Sequence, residues 1–326
     1  MKTLCTHVIA NGNLFKRFAV VAWLMTMLSA MQSFGQAPTI SYSGPQTYPE
    51  GTAIAPLAPT SSGVAAVAYS SPIIFGYGIS WTYGVAVDGE DNVYVVDVND
   101  NTIKMFPAGG GKTVNFASGF KSPAGMAADA TGNVYVADMG DNTIREIPAG
   151  GGKKTSLGFG FNMPRGVAVG VTGNVYVADY GNNAIKMIPA GGGTPVTLGS
   201  GFNKPYGVAV SAAGNIYVAD YGNNAIKMIP AGGGTPVTLG TGFNHPGGVA
   251  VDRSGNVYVA DTYNNAVKEI PAGGGAPVTL GSGFYQPLGV AFDNAGNLYV
   301  SDSGGNGITK LFVGDKSAGG FSPPPH

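Results

Sequence analysis

The chain is poor in cysteine, in charge and in histidine. One cysteine, Cys5, occurs in 326 residues, so a disulfide framework and a thiolate metal site within one chain are both excluded. Charged residues make up 11%, well under the usual quarter. The formal net charge is −1, with no run of like charges. A nucleic-acid binder normally carries a basic stripe, so no nucleic-acid partner is expected. No stretch shows the sustained 3.6-residue periodicity of a long helix. What the chain has in excess is glycine, at 54 residues, which points to many tight turns.

The N-terminus carries the pattern of a secretory signal. Lys16 and Arg17 precede the apolar run Phe18–Ala30, and small and polar residues follow. This run is shorter than the roughly 20 residues a helix needs to cross a bilayer, and basic, apolar and small-residue regions in that order mark a cleavable leader. Residues 1–36 are therefore expected to be a signal peptide, and the mature chain to be secreted or periplasmic with no transmembrane segment. Cys5 lies in this leader. Its removal leaves 14 basic and 18 acidic residues. Residues 37–71 are rich in Pro, Ser and Thr and read as an extended arm or linker. Residues 314–326, ending in "FSPPPH", read as a disordered tail.

Between them the sequence repeats. "YVADYGNNAIKMIPAGGGTPVTLG" occurs twice, at 176–199 and 217–240. Aligned on its Asp, the unit recurs at Asp97, Asp138, Asp179, Asp220, Asp261 and Asp302. Aligned on a Gly it recurs at Gly84, Gly125, Gly166, Gly207, Gly248 and Gly289, always with a period of 41. Within each unit four short strand-like runs are separated by turn residues, as in "GVAVS", "IYVAD", "AIKMIP" and "PVTLG". Four antiparallel strands per unit of about 40 residues match one propeller blade. The sixth unit lacks a fourth strand. Three periods upstream of Pro195–Gly201 stands Pro72–Gly78, "PIIFGYG", in register to supply it. The expected fold is all-β: a six-bladed β-propeller of four-stranded antiparallel blades over residues 72–313, closed by an N-terminal outer strand. Such closure removes exposed sheet edges.

The unit P-x-G-V-A-V-D…G-N-V-Y-V-A-D-x-x-N-N-x-I resembles the NHL repeat, over six copies from Pro72 to about Val313. It departs from the family pattern at Ala184 and Ala225, where many NHL units have Arg, and at Thr82, which replaces the motif Pro in the first copy. The resemblance implies a propeller that works as a binding scaffold, and it extends to six-bladed lyases. Among these are amidating lyases with a histidine-built zinc site and streptogramin lyases with a catalytic histidine. The mature chain keeps only His245 and His326, too few for a three-histidine zinc site. His245 alone would serve as a general base if the chain were a lyase of the streptogramin type.

A propeller carries its loops on two faces. The fourth-to-first and second-to-third connections share one of them, and there the copies disagree. Just before the repeated Gly stand Tyr83, Ala124, Arg165, Tyr206, Gly247 and Leu288. Two positions earlier stand Trp81, Ser122, Met163, Lys204, His245 and Gln286. Just after the repeated Asp stand Val98, Met139, Tyr180, Tyr221, Thr262 and Ser303. Aromatic residues with polar neighbours make recognition surfaces. The candidate ligand-binding residues are thus Trp81, Tyr83, Arg165, Tyr180, Lys204, Tyr206, Tyr221 and His245, facing a protein, peptide or glycan, with the chain a monomer. For single tyrosines, packing between blades is the competing role. The repeated Asp and Asn pairs are expected to set turns. No cofactor is expected. The carboxylate-dense "DGEDN" at Asp88–Asn92 is the one candidate for a calcium ion, which needs six to eight oxygens. The Gly runs recur between strands in five copies and are not phosphate loops. No GxSxG elbow occurs.

Overall fold

The computed structural model describes residues 39–41, 60–62, 73–76, 79, 81–281, 283–305 and 307–312. The signal peptide and the tail lie outside the described residues, as does most of the arm. From the arm the structure describes one antiparallel pair, Thr39–Ser41 with Thr60–Ser62.

The remaining strands form six four-stranded antiparallel sheets. The first blade runs Thr82–Val87, Val93–Asp97, Thr102–Phe106 and Val114–Ala117. The fourth, built from the repeated string, runs Pro205–Val210, Ile216–Asp220, Ala225–Ile229 and Val237–Leu239. The sixth runs Pro287–Phe292, Leu298–Asp302 and Gly307–Leu311, and Ile73–Gly76 completes it as the outer strand. Lys310 faces Ile73 and Thr309 faces Ile74 in that pairing, across a bulge from Ile308 and Gly76. The missing strand of the last repeat thus comes from the start of the propeller, as the period predicts.

The burial of each strand follows its place in the blade. The second strand lies between neighbouring sheets and is buried along its whole length, in "VYVAD" as in "IYVAD". The third is half-buried, with Ile226 and Ile229 buried and Ala225, Lys227 and Met228 partly exposed. The outer strand, "VTL", exposes its Val and Thr. Hydrophobic clusters form between adjacent blades, for example Ala168, Tyr176, Ile185, Phe202, Val208, Val218 and Ile229 between the third and fourth. At roughly 25 cal/mol per Å² of apolar area removed from water, these inter-blade layers are the main attraction holding the ring.

The inner strands line the central channel, and there the repeated Gly is compulsory. A methyl group at Gly166 would lie 2.5 Å from the Tyr206 carbonyl oxygen of the next blade, and one at Gly207 would lie 2.5 Å from that of Gly247. The same approach joins last to first, where a methyl at Gly289 would lie 3.0 Å from the Tyr83 carbonyl oxygen. That carbonyl also accepts a bond from Ser301 Oγ at 2.8 Å. The ring is therefore closed by direct contact. No helix among the described residues is long and apolar enough to cross a membrane.

Candidate functional site

The varied loop face stands on a repeated polar frame. In the third, fourth and fifth blades the repeated Asp is fully buried. Asp220 Oδ1 accepts the backbone N–H of Asn203, on the incoming loop, at 2.8 Å. Its Oδ2 accepts from Asn223 at 2.7 Å and pairs with Lys227 Nζ at 2.7 Å. Asp179 pairs with Lys186, and Asp261 with Lys268, each at 2.6 Å. These lysines also donate to a loop carbonyl, Gly160, Gly201 or Gly242. The Asp does not cap the backbone N–H groups of its own turn; it holds that turn through the Asn223 side chain and ties it to the incoming loop through the Asn203 N–H, beside a buried ion pair.

The second Asn of each pair positions the face itself. Asn142, Asn183, Asn224 and Asn265 adopt left-handed backbone with φ of 52–53°, which Asn tolerates better than most residues. Their side-chain oxygens accept the backbone N–H of Met163, Lys204, His245 and Gln286 on the next blade at 2.7–2.9 Å. Each of those four residues also has positive φ, between 48° and 55°, and Trp81 has 67°. Non-glycine residues in this region cost on the order of 1–2 kcal/mol. The frame holds side chains out where glycine would sit without strain.

On this frame sits a contiguous aromatic array. The Tyr206 and Tyr221 rings stack at 5.6 Å, and Tyr180 meets them edge-on at 6.3 and 6.4 Å. His245 lies 4.6 Å from the Tyr221 ring and 4.7 Å from the Tyr263 ring. The Tyr221 hydroxyl donates to that of Tyr263 at 3.2 Å. Arg165 is caged by rings, its guanidinium carbon 4.9 Å from Tyr206, 5.0 Å from Tyr180 and 5.9 Å from Tyr83. Its Nη1 donates to the Tyr206 hydroxyl at 3.1 Å. Burial pushes the Tyr206 hydroxyl above its ordinary pKa, while Arg165 opposes the shift. Burial, and next the bond to Tyr263, push Tyr221 up as well. Tyr83, Arg165 and Tyr206 stand at the mouth of the central channel.

The NHL repeat profile matches residues 161–186, 202–227, 243–270 and 284–311, four segments that fall at equivalent places in blades three to six of this six-bladed ring. The chain contains NHL repeats in a six-bladed propeller. No curated protein matches its sequence. Its fold is shared with solved structures of low identity. A streptogramin B lyase is 14% identical with a TM-score of 0.58, over 75% of this chain and 97% of that one. A gluconolactonase from Xanthomonas campestris is 16% identical with a TM-score of 0.64, over 76% and 97%. A nidogen/laminin complex gives 22% identity and a TM-score of 0.59, over 64% and 84%. At these identities the likeness shows the fold alone.

Of the sequence-predicted site residues, this NHL propeller brings together Tyr83, Arg165, Tyr180, Tyr206, Tyr221 and His245. Trp81 is 55% exposed and Lys204 is exposed. No ring contact or side-chain hydrogen bond joins either to the array among the described residues. Sequence reading missed Tyr263, which is 51% exposed. The signal was present, because four other blades have Gly at its position: Gly140, Gly181, Gly222 and Gly304. It also missed the ion-pair partner of the repeated Asp, seven residues on: Lys104, Arg145, Lys186, Lys227 and Lys268.

The sixth blade breaks this rule with Thr309. Asp302 is 4% exposed, accepts the Tyr285 N–H at 2.8 Å and has no ion pair among the described residues. Burial raises its pKa to about 6, the Tyr285 bond opposing. Asp88, in the acidic "DGEDN" stretch, accepts from the Glu90 and Asn92 N–H groups, the Asn92 amide and the Tyr94 hydroxyl. Those bonds fold the turn between the first two strands. No group of three or more His, Cys, Asp or Glu able to hold a metal ion occurs among the described residues.

Proposed function

We propose that this chain is a secreted, non-enzymatic scaffold that binds a protein or peptide on the aromatic loop face. The observation that carries the reading is the array of Tyr180, Tyr206, Tyr221, His245 and Tyr263 beside Arg165. Five neighbouring rings and a caged guanidinium offer flat, rigid contact area with polar tips, the composition that dominates binding energy at protein interfaces. The turns between first and second strands on the opposite face are built of residues such as "AAGN" and "ATGN". A fold neighbour solved as a nidogen/laminin complex agrees with a propeller of this build in protein recognition. The test is retention of partners from the native envelope and medium by the chain from Ala37 onward, beside its Tyr180→Ala, Tyr206→Ala, Tyr221→Ala triple variant. A partner held by the first and lost by the second supports the reading. Equal recovery, or none, sinks it.

A lyase acting through His245 is the competing reading, and the streptogramin lyase fold neighbours favour it. Here His245 Nδ1 bonds the Asn244 amide oxygen at 2.8 Å, and no carboxylate contacts the ring among the described residues. A general base is usually oriented by such a third group. His245→Ala separates the two: an enzyme loses turnover, whereas a scaffold loses only part of its affinity.

A further inference from the structure

Resting on that binding reading, we propose that Arg165, with Tyr83 and Tyr180, is the anchor for a carboxylate of the bound peptide, taken at the channel mouth. Arg165 is a cation without an anion. The buried acids nearest in the repeat are already engaged by their own blades: Asp138 faces Arg145, Asp179 pairs with Lys186 and Asp220 with Lys227. Arg165 has no carboxylate partner among the described residues. Its one hydrogen bond runs from Nη1 to the Tyr206 hydroxyl, and its Nε is buried with no partner. A buried donor left unpaired costs on the order of 1–3 kcal/mol. Three tyrosine rings surround the guanidinium, and no hydrogen bond engages its remaining donors among the described residues. Its Nε–Nη2 edge therefore has no hydrogen-bond partner among the described residues.

That edge carries two parallel N–H donors, the geometry that fits a carboxylate in bidentate fashion. The hydroxyls of Tyr83 and Tyr180 have no hydrogen-bond partner among the described residues and stand beside it as neutral donors. One positive charge ringed by uncharged phenols matches a single negative charge, which a carboxylate has and a dianionic phosphate exceeds. The mouth is also narrow. The cavity lined by Tyr83, Gly125, Arg165, Tyr206 and Leu288 holds about 60 Å³. It admits a head group, and the rest of the ligand must lie outward, across the aromatic array. At the equivalent place the adjacent second blade carries Ala124 and the fifth Gly247, both small, while Leu288 stands directly across the ring from Arg165.

Both a C-terminus and an Asp or Glu side chain present this group, and three peptide pools separate them. All are N-acetylated random tripeptides. The first has free C-termini and no acidic residues, the second is the same pool amidated, and the third is amidated with Glu fixed at the centre. Binding to the full propeller is measured by saturation-transfer NMR, for the wild type, Arg165→Gln and Arg165→Lys. The expected result is that the first or third pool, according to the source, binds about ten- to a hundred-fold better than the second. That preference should vanish in Arg165→Gln and drop to a small residue in Arg165→Lys, which keeps the charge but not the two-donor edge. Thermal unfolding checks that both variants fold, and Arg165→Lys carries the test if Arg165→Gln does not. Equal binding of all three pools, or an undiminished preference in the Arg165 variants, overturns the proposal. If the amidated pool binds equally well and Tyr180→Ala with Tyr221→Ala abolishes it, the binding face stands and only the carboxylate anchor falls. If no pool binds, both fall.

Discussion

Asp302 should make the native fold less stable at neutral pH than in mild acid, and replacing it should stabilise the protein. In the other blades the buried Asp has a cation seven residues on, at 2.6–2.7 Å in blades three to five. In the sixth it has Thr309 there and keeps a single backbone bond. With the folded pKa near 6 against a usual 3.8, the charged form is disfavoured by on the order of 3 kcal/mol, at about 1.4 kcal/mol per tenfold change in proton affinity. The sign follows from proton binding. Between pH 4 and 6 the folded chain holds more protons than the unfolded one at this site, so this contribution to unfolding free energy falls as pH rises. The cost is complete above pH 6 and disappears below 4. Asp302→Asn keeps the acceptor for Tyr285 and removes the charge. At pH 7.5 it should raise the unfolding midpoint by about 6–12 °C, taking 2–4 °C per kcal/mol for a domain of this size. At pH 4 the difference should close. Thr309→Lys should rebuild the pair and flatten the same pH dependence. Thermal unfolding of the three proteins from pH 4 to 8 decides. An Asp302→Asn protein that is destabilised at pH 7.5, or a difference flat with pH, would refute the reasoning.

Three further outcomes are expected. Lys227→Met strands the fully buried Asp220, and urea unfolding should show a loss of about 3–5 kcal/mol, part of it recovered in the Asp220→Asn, Lys227→Met double variant. Gly166→Ala drives a methyl against the Tyr206 carbonyl and should cost about 3 kcal/mol. Gly191→Ala, which meets nothing within 4 Å, should lose only the roughly 1 kcal/mol of its positive φ, so equal losses would contradict the ring-contact argument. In alkaline spectrophotometric titration Tyr221 and Tyr206 should ionise above the ordinary tyrosine value of 10. Tyr221→Phe should remove one late-titrating phenol, and an unchanged late phase would show that Tyr221 is not shielded.

Much of the site was legible one position at a time. The loops that vary between copies were identifiable because five or six copies offered a reference, so Tyr180 stood out against Met139 and Arg165 against Ala124. Tyr263 escaped because the positions compared lay immediately around the Gly and the Asp, and it sits one residue further on. The Asp–Lys pairs escaped for a different reason. A lysine at alternate positions of a half-exposed strand looks like an ordinary solvent-facing residue, and only the return of the third strand beside the second brings Lys227 back to Asp220. Trp81 and Lys204 satisfied the same pattern as His245, yet among the described residues no ring contact or side-chain hydrogen bond ties them to the array.

A period of 41, strand-length apolar runs and an outer strand displaced to the start of the propeller determine the ring from the chain alone. A repeat that cannot bury its own faces must stack on its neighbours until the last meets the first. The same period places residues 41 apart side by side at the mouth, as Arg165 and Tyr206 are. The sequence could not set which side chains then touch across unequal positions, such as Tyr221 with His245 and Tyr263. Those contacts depend on the angle between adjacent blades and on ring orientations chosen by the whole surface at once. The charge balance of each turn was decided there too, since a buried carboxylate is stable or strained according to what the tertiary structure brings within about 3 Å of it.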